Sequence, residues 1–99
     1  MKIYTRNIGL NRGKPRLWLE GAILLTNGFN HEDIFTINEI EDGLLITKVD
    51  NSFFDEPHRK IAGNSARPII DINSGALLSR FNCKVRIIAN KGELIVMEV

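Results

Sequence analysis

RKIAGNSARPIIDI, Arg59 to Ile72, is answered by RNIGLNRGKPRLWL, Arg6 to Leu19, at a constant offset of 53 residues. The shift lays Arg6 on Arg59, Ile8 on Ile61, Asn11 on Asn64, Lys14 on Arg67 and Pro15 on Pro68. Each copy is an apolar residue, a basic turn rich in Gly and Asn, a Pro, and a short apolar run. An internal duplication of this kind sets the unit of the fold before any single residue is interpreted.

Outward from these stretches, KIYTRNI, Lys2 to Ile8, alternates with Ile3, Thr5 and Asn7 on one side and Tyr4, Arg6 and Ile8 on the other, which predicts a short edge strand. Gly9 to Gly13 supplies turn residues, Pro15 pushes Lys14 towards extended geometry, and Arg16 to Leu19 reads as strand again. Glu20 to Phe29 fits two helical turns ended by Gly28 in the left-handed region. In the second copy Ser74 can cap the amides at the start of GALL. Each copy then ends in a hairpin. The first reverses at Glu41-Asp42-Gly43, where an Asp-Gly pair favours positive φ at both residues, and the second at Asn90-Lys91-Gly92. The difference in length between the copies is expected at the hairpin tips. In the link between the copies, Phe53 and Phe54 are the apolar residues and read as pins to the core.

Each repeat is thus strand, basic turn, strand, short helix, hairpin, and neither has enough strands to close a sheet alone. Interleaving buries the edges that each would expose. The expected fold is mainly β with two short helices, a pseudo-twofold β-barrel formed as one domain over residues 1–99 from repeats spanning about 1–49 and 54–99.

The chain of 99 residues is 43% hydrophobic and 25% charged, the composition of one globular domain with a modest core. No stretch approaches the roughly 20 consecutive apolar residues that span a bilayer, and MKIYTRNIGLNRGK carries charges where a signal peptide needs an apolar block. The single cysteine, Cys83, forms no intrachain disulfide or thiolate cluster; it reads as a small buried apolar group before a strand. A cytoplasmic, non-membrane protein is expected. The net charge of +1 hides an uneven distribution: residues 1–16 carry five bases and no acid, residues 17–58 nine acids against Lys48, and residues 59–99 seven bases against three acids. The basic blocks open each repeat, which suits a polyanionic partner.

The second half, from Arg59 to Val99, resembles the DNA-binding domain of AbrB/MazE-type swapped-hairpin proteins, most specifically at Gly63-Asn64-Ser65 with Arg59, Lys60 and Arg67 around it. The resemblance implies two copies fused in one chain as an AbrB-like pseudodimer, with the basic strand and turn of each copy facing DNA. The first copy departs from the pattern: in GLNRGKP only Asn11 matches the turn asparagine, and the Arg-Ile-Pro that commonly enters the family's helix is absent. NRGKPRLWLEG followed by PIIDIN is also similar to an accessory segment at the N-terminus of some bacterial cytosine DNA methyltransferases.

Candidate DNA-binding residues are Arg6, Asn11, Arg12, Lys14 and Arg16 in the first repeat and Arg59, Lys60, Asn64, Ser65 and Arg67 in the second. Cations on a protruding turn neutralise backbone phosphates, and an asparagine amide offers the paired donor and acceptor that base edges need. Charge alone is better met by a solvated edge with two turn asparagines. Recurrence at matched positions, together with the resemblance, favours duplex DNA and a role as a DNA-binding module or transcription regulator. The kept Gly-Asn-Ser turn predicts a larger contribution from Asn64 than from Asn11. Trp18 is a core or partner-facing tryptophan before it is a base-stacking platform, and its counterpart at the offset is Asp71, so the two faces are not equivalent.

The alternative is a protein-binding adaptor or inhibitor, antitoxin-like or phage-encoded, that presents Glu32, Asp33, Glu39, Glu41, Asp42, Asp50, Asp55 and Glu56 to a toxin, a methyltransferase or a host factor. His31-Glu32-Asp33 lacks a second histidine at ligand spacing and reads as turn polarity. With no phosphate loop, serine elbow or paired carboxylates, neither an enzyme nor a cofactor or metal requirement is expected. The assembly is a monomeric pseudodimer or a homodimer.

Overall fold

The alternation in KPRLWLE turns Leu17 and Leu19 to one side and Arg16, Trp18 and Glu20 to the other, and PIIDIN does the same with Ile70 and Ile72 against Ile69 and Asp71. A strand with one apolar and one polar face packs one side on a core and leaves the other in solvent. In the computed structural model, which describes residues 1–50 and 55–99, these are the central strands of one of two sheets. The reading of Phe53 and Phe54 as core pins falls outside the described residues.

The first half holds β1 (Lys2–Asn7), β2 (Gly9–Asn11), β3 (Lys14–Glu20), α1 (Ala22–Leu25), β4 (Ile34–Ile40) and β5 (Gly43–Val49). The second holds β6 (Arg59–Lys60), β7 (Ala62–Gly63), β8 (Pro68–Asn73), α2 (Gly75–Leu78), β9 (Lys84–Asn90) and β10 (Glu93–Glu98). The protein is therefore mainly β with two short helices, each a single turn. One sheet has the order β1-β9-β10-β5-β4-β6, the other β2-β3-β8-β7. Neither sheet closes on itself. Every pairing is antiparallel, and β1 pairs with β9 while β4 pairs with β6, so both outer seams of the larger sheet join one half of the chain to the other.

Two central pairings carry the pseudosymmetry. Across β3 and β8, Trp18 stands opposite Asp71, the same two residues that the offset of 53 matches. Across β5 and β10, Leu45 stands opposite Ile95, which are 50 residues apart. The helices keep the first offset and the hairpins the second, so the length difference lies not at the hairpin tips but in the segments before them, 26–33 and 79–83. Both tips have two-residue loops, Glu41-Asp42 and Lys91-Gly92.

The Asp-Gly expectation fails in its mechanism: neither Asp42 nor Gly43 takes positive φ. Gly43 is required for a different reason, because a Cβ there would lie 1.8 Å from the Val96 carbonyl oxygen of the neighbouring strand. Cys83 is exposed, not buried.

The inward side chains Leu17, Leu19, Ile70 and Ile72 of the smaller sheet meet Leu44, Ile46, Val85, Ile87, Leu94 and Val96 of the larger one, with Phe29, Phe81, Leu24 and Leu78 filling the ends of the cluster. Burying each such side chain contributes about 1.5–3 kcal/mol. Among the described residues Asn27 is the buried polar residue: its Nδ2 donates to the Ile23 carbonyl at 2.7 Å and to the Tyr4 hydroxyl at 3.2 Å, and its backbone carbonyl accepts from Gly92 N at 2.8 Å. Its bonds thereby join α1 to β1 and to the β9–β10 loop. The helices begin at matched positions with different solutions: Ser74 Oγ accepts from Leu77 N at 3.2 Å, whereas Gly21 at φ +74 supplies no side-chain cap. Among the described residues, no helix is long and apolar enough to cross a membrane.

Candidate nucleic-acid interface

The first basic turn is tighter than its composition predicts. Asn11 pairs with Lys14, leaving Arg12-Gly13 as a two-residue loop with φ +55 and +78. Both central residues in the left-handed region match the twist of the flanking strands, but the first of these positions favours Asn, Asp or Gly over a long, charged side chain. Arg12 is thus held at the tip in a conformation that its own type disfavours. The equivalent loop, Ser65-Ala66, is closed by reciprocal bonds between Asn64 and Arg67, each backbone N–H reaching the other's carbonyl at 3.2 Å. Asn64 Oδ1 also accepts from Ala66 N at 3.0 Å and Arg67 N at 2.9 Å. Gly63, at φ +83, precedes this turn, and a Cβ there would lie 2.2 Å from the Arg67 carbonyl oxygen.

The two asparagines that the offset matches therefore do different things. Asn64 shapes its turn with Oδ1 and makes no bond through Nδ2 among the described residues. Asn11 donates its Nδ2 to Asn73 Oδ1 at 3.0 Å, while Asn73 donates to the Pro15 carbonyl at 3.1 Å. Asn11 is half-buried in a tie between β2 and β8, whereas Asn64 is exposed.

Between the turns, the outward face of β3 and β8 carries a ladder of charge. Arg16 donates from Nε and Nη2 to the two carboxylate oxygens of Asp71, each at 2.9 Å, with its guanidinium 4.4 Å from the centroid of the Trp18 ring. The hydrogen bond to Asp71 raises the Arg16 pKa above its ordinary value, against a smaller desolvation effect. Trp18, 40% exposed, is not a core residue; its indole N–H donates to Glu20 Oε1 at 2.7 Å. Glu20 Oε2 lies 3.7 Å from Arg67 Nη1. Two of the candidate arginines, Arg16 and Arg67, are thus matched by carboxylates. Sequence reasoning missed Asp71 and Glu20 as their partners. The signal was present: Glu20 lies two residues from Trp18 on the same strand face, and Asp71 is the offset partner of Trp18.

The other candidates lie on the larger sheet. Arg6, on β1, donates to the Thr5 carbonyl at 2.9 Å with its guanidinium 5.4 Å from the Tyr4 ring. Arg59 and Lys60 form β6 at the opposite edge, both exposed, opposite Phe35 and Ile34 of β4. The ten residues therefore form no single patch. They comprise two turns at opposite ends of the four-stranded sheet, a neutralised ladder between them, and two separated edge strands. Ladder register from Arg16–Asn73 to Glu20–Ile69 puts one loop beyond each end, roughly 30 Å apart along the sheet at about 3.3 Å per residue. Among the described residues, Arg12 and Lys14 make no ion pair.

The acidic set is similarly dispersed. Lys48 contacts Asp33 at 3.3 Å and Asp50 at 3.6 Å, and Arg80 binds Glu39. His31 Nδ1 lies 3.3 Å from the Ala62 carbonyl, and its Nε2 lies 3.4 Å from Glu32. In comparisons with known proteins, no family model, curated protein or solved structure matches this chain.

Proposed function

We propose that the chain is a small DNA-binding module, a fused AbrB/MazE-like swapped-hairpin pseudodimer whose two open sheets pack together as a barrel and which docks the two turns of its four-stranded sheet on duplex DNA. The observation that carries this reading is the pair of equivalent turns at opposite ends of one sheet, the first bearing Arg12 and Lys14, separated by roughly 30 Å along the strands. Two contacts at about that distance suit half-sites one helical turn of DNA apart, about 34 Å. The exchange of edge strands between the two halves supports the swapped-hairpin reading. A regulatory role follows if the bound site controls transcription.

The turns divide the work. Arg12 and Lys14 supply phosphate neutralisation, while the free Nδ2 of Asn64, whose Oδ1 is held by its turn, is suited to donate to a phosphate oxygen or a base acceptor. The adaptor or inhibitor reading has less support, since Asp33, Asp50 and Glu39 are already held by Lys48 and Arg80.

The test is a fluorescence-anisotropy titration of duplex DNA at about 50 and about 200 mM salt. Binding should weaken steeply with salt, the Arg12→Ala, Lys14→Ala double variant should lower the slope of log K against log salt by up to about 2, and Asn64→Ala should cost more affinity than Asn11→Ala. No binding at low salt, or binding indifferent to the double variant, overturns the reading.

A further inference from the structure

The outer face of the six-stranded sheet, opposite the core from the turns, carries an apolar row laid across the strands. Ile3 pairs with Ile88, Ile88 with Ile95, and Ile95 with Leu45 in unbroken register. In the next row of that face Arg86 pairs with Met97 and Met97 with Gly43, which in turn pairs with Ile40. Ile3 is 58% exposed and Ile40 36%; Ile88, Ile95, Leu45 and Met97 are half-buried by their neighbours alone, because both helices pack against the smaller sheet. A sheet face exposed to water normally carries polar residues; here an apolar strip of Ile3, Ile88, Ile95, Leu45, Met97 and Ile40 runs between Thr5, Arg86 and Asn38 and the polar row of Asn90, Glu93, Thr47 and Thr36.

Charge at one end of the face identifies what fits it. Lys84 and Arg86 of β9 lie on one side of β10, and Glu41 and Asp42, the loop leading into β5, lie on the other; none of the four has an ion-pair partner among the described residues. Rotation by 180° about an axis along β10 lays β9 of one copy over β5 of another without shifting either along the strands. Ile88 then meets Leu45, Ile95 meets its own copy, and Lys84 meets Glu41 and Asp42, twice over. A self-complementary patch is the requirement for a twofold interface.

We infer that two copies of this chain associate face to face through β1, β9, β10, β5 and β4, with β1 of each copy lying over β4 of the other, as an aligned sheet-on-sheet dimer. Five strands at about 4.8 Å spacing and about 3.3 Å per residue give a face roughly 20–25 Å on each side. That is a small interface, so the dimer is weak and reversible, with a dissociation constant on the order of 100 µM. Glu93, also on the axis but at the other end of β10, approaches its own copy and opposes the pairing. The four-stranded sheet stays free in each copy, so the dimer presents two sets of turns.

Sedimentation velocity on the full chain from about 10 µM to about 1 mM reads the association directly. A monomer–dimer equilibrium is expected, weakened by salt and shifted at least about tenfold towards monomer by Ile95→Lys or by Met97→Lys, with circular dichroism verifying that each variant is folded. Lys84→Glu should weaken the dimer, and adding Asp42→Lys with Glu41→Lys should restore it; Glu93→Gln should tighten it. A chain that stays monomeric at the highest concentration overturns the proposal and leaves the face to a different protein. Association unaffected by Ile95→Lys and Met97→Lys, or a charge reversal that fails to rescue, also overturns it.

Discussion

Trp18 and Asp71 face one another across the β3–β8 ladder and are also the residues that the internal repeat superimposes. Identical copies related by a twofold axis would place like against like at that point. An indole against a carboxylate breaks the symmetry where it would otherwise be strictest, and the break has a use: Asp71 holds Arg16 in a bidentate pair while Trp18 supports the same guanidinium from its ring face. An aspartate facing an aspartate would repel, and a tryptophan facing a tryptophan would leave Arg16 without its carboxylate.

If the four-stranded sheet binds DNA, Asp71 acts against it by occupying Arg16 and by repelling phosphate. Asp71→Asn should raise affinity for duplex DNA several-fold and steepen the dependence of log K on log salt by about one phosphate contact. Anisotropy titration across a salt series measures both, and an unchanged slope would mean that Arg16 does not reach the DNA even when released.

Arg12 at φ +55 gives a second separation of stability from binding. Arg12→Asn places a residue suited to the left-handed region and should stabilise the fold by about 0.5–1 kcal/mol. The same change removes a tip cation and should weaken DNA binding at low salt. Urea unfolding and anisotropy on one preparation test the pair of effects; a loss of stability would show that Arg12 is held by contacts that outweigh its backbone strain.

Two glycines should respond in opposite ways to alanine. Gly43→Ala forces β5 away from the Val96 carbonyl and should cost about 2–3 kcal/mol. At Gly75 an added Cβ meets nothing within 4 Å, and Ala22 already occupies the matched position in the first helix. Gly75→Ala should therefore stabilise by about 0.4–1 kcal/mol. Chemical denaturation midpoints separate the two, and equal effects would contradict the close approach at Gly43.

The buried amide of Asn27 bonds both to Tyr4 and to the backbone of its own helix. Asn27→Ala should cost about 1–3 kcal/mol, because it leaves buried acceptors unpaired, whereas Tyr4→Phe should cost about 0.5–1.5 kcal/mol. A double-mutant cycle by thermal unfolding gives the coupling between them; strict additivity would mean that their hydrogen bond contributes nothing to stability.

Much of this architecture is legible in the sequence because period-two alternation on Lys14–Glu20 and Pro68–Asn73 states which side chains face the core, and the repeat states that the two strands are equivalent. Ser74 as a helix cap and Gly28 in the left-handed region follow from chemistry local to a few residues. The failures have a common cause, namely interactions between residues far apart in the chain. Gly43 looks like a turn residue until β10 is laid beside it, Asn11 looks like a free turn asparagine until Asn73 bonds it, and Arg16 and Arg67 look like free cations until Asp71 and Glu20 are brought across the sheet. The basic residues could be found from composition and spacing; their neutralisation depends on register, which a one-dimensional reading reaches only through the offset.

The pairing of β1 with β9 also governs the order in which the chain can acquire structure. Lys2 lies against Ala89 and Asn7 against Lys84, so β1 has no neighbour in the larger sheet until β9, far along the chain, has been made. Closing so long a loop is slow compared with forming the local β4–β5 hairpin. Until it closes, an unpaired strand with an exposed isoleucine is a template for other nascent chains. Refolding yield should accordingly fall with protein concentration more sharply than native stability suggests, and the vulnerable interval ends when β9 arrives.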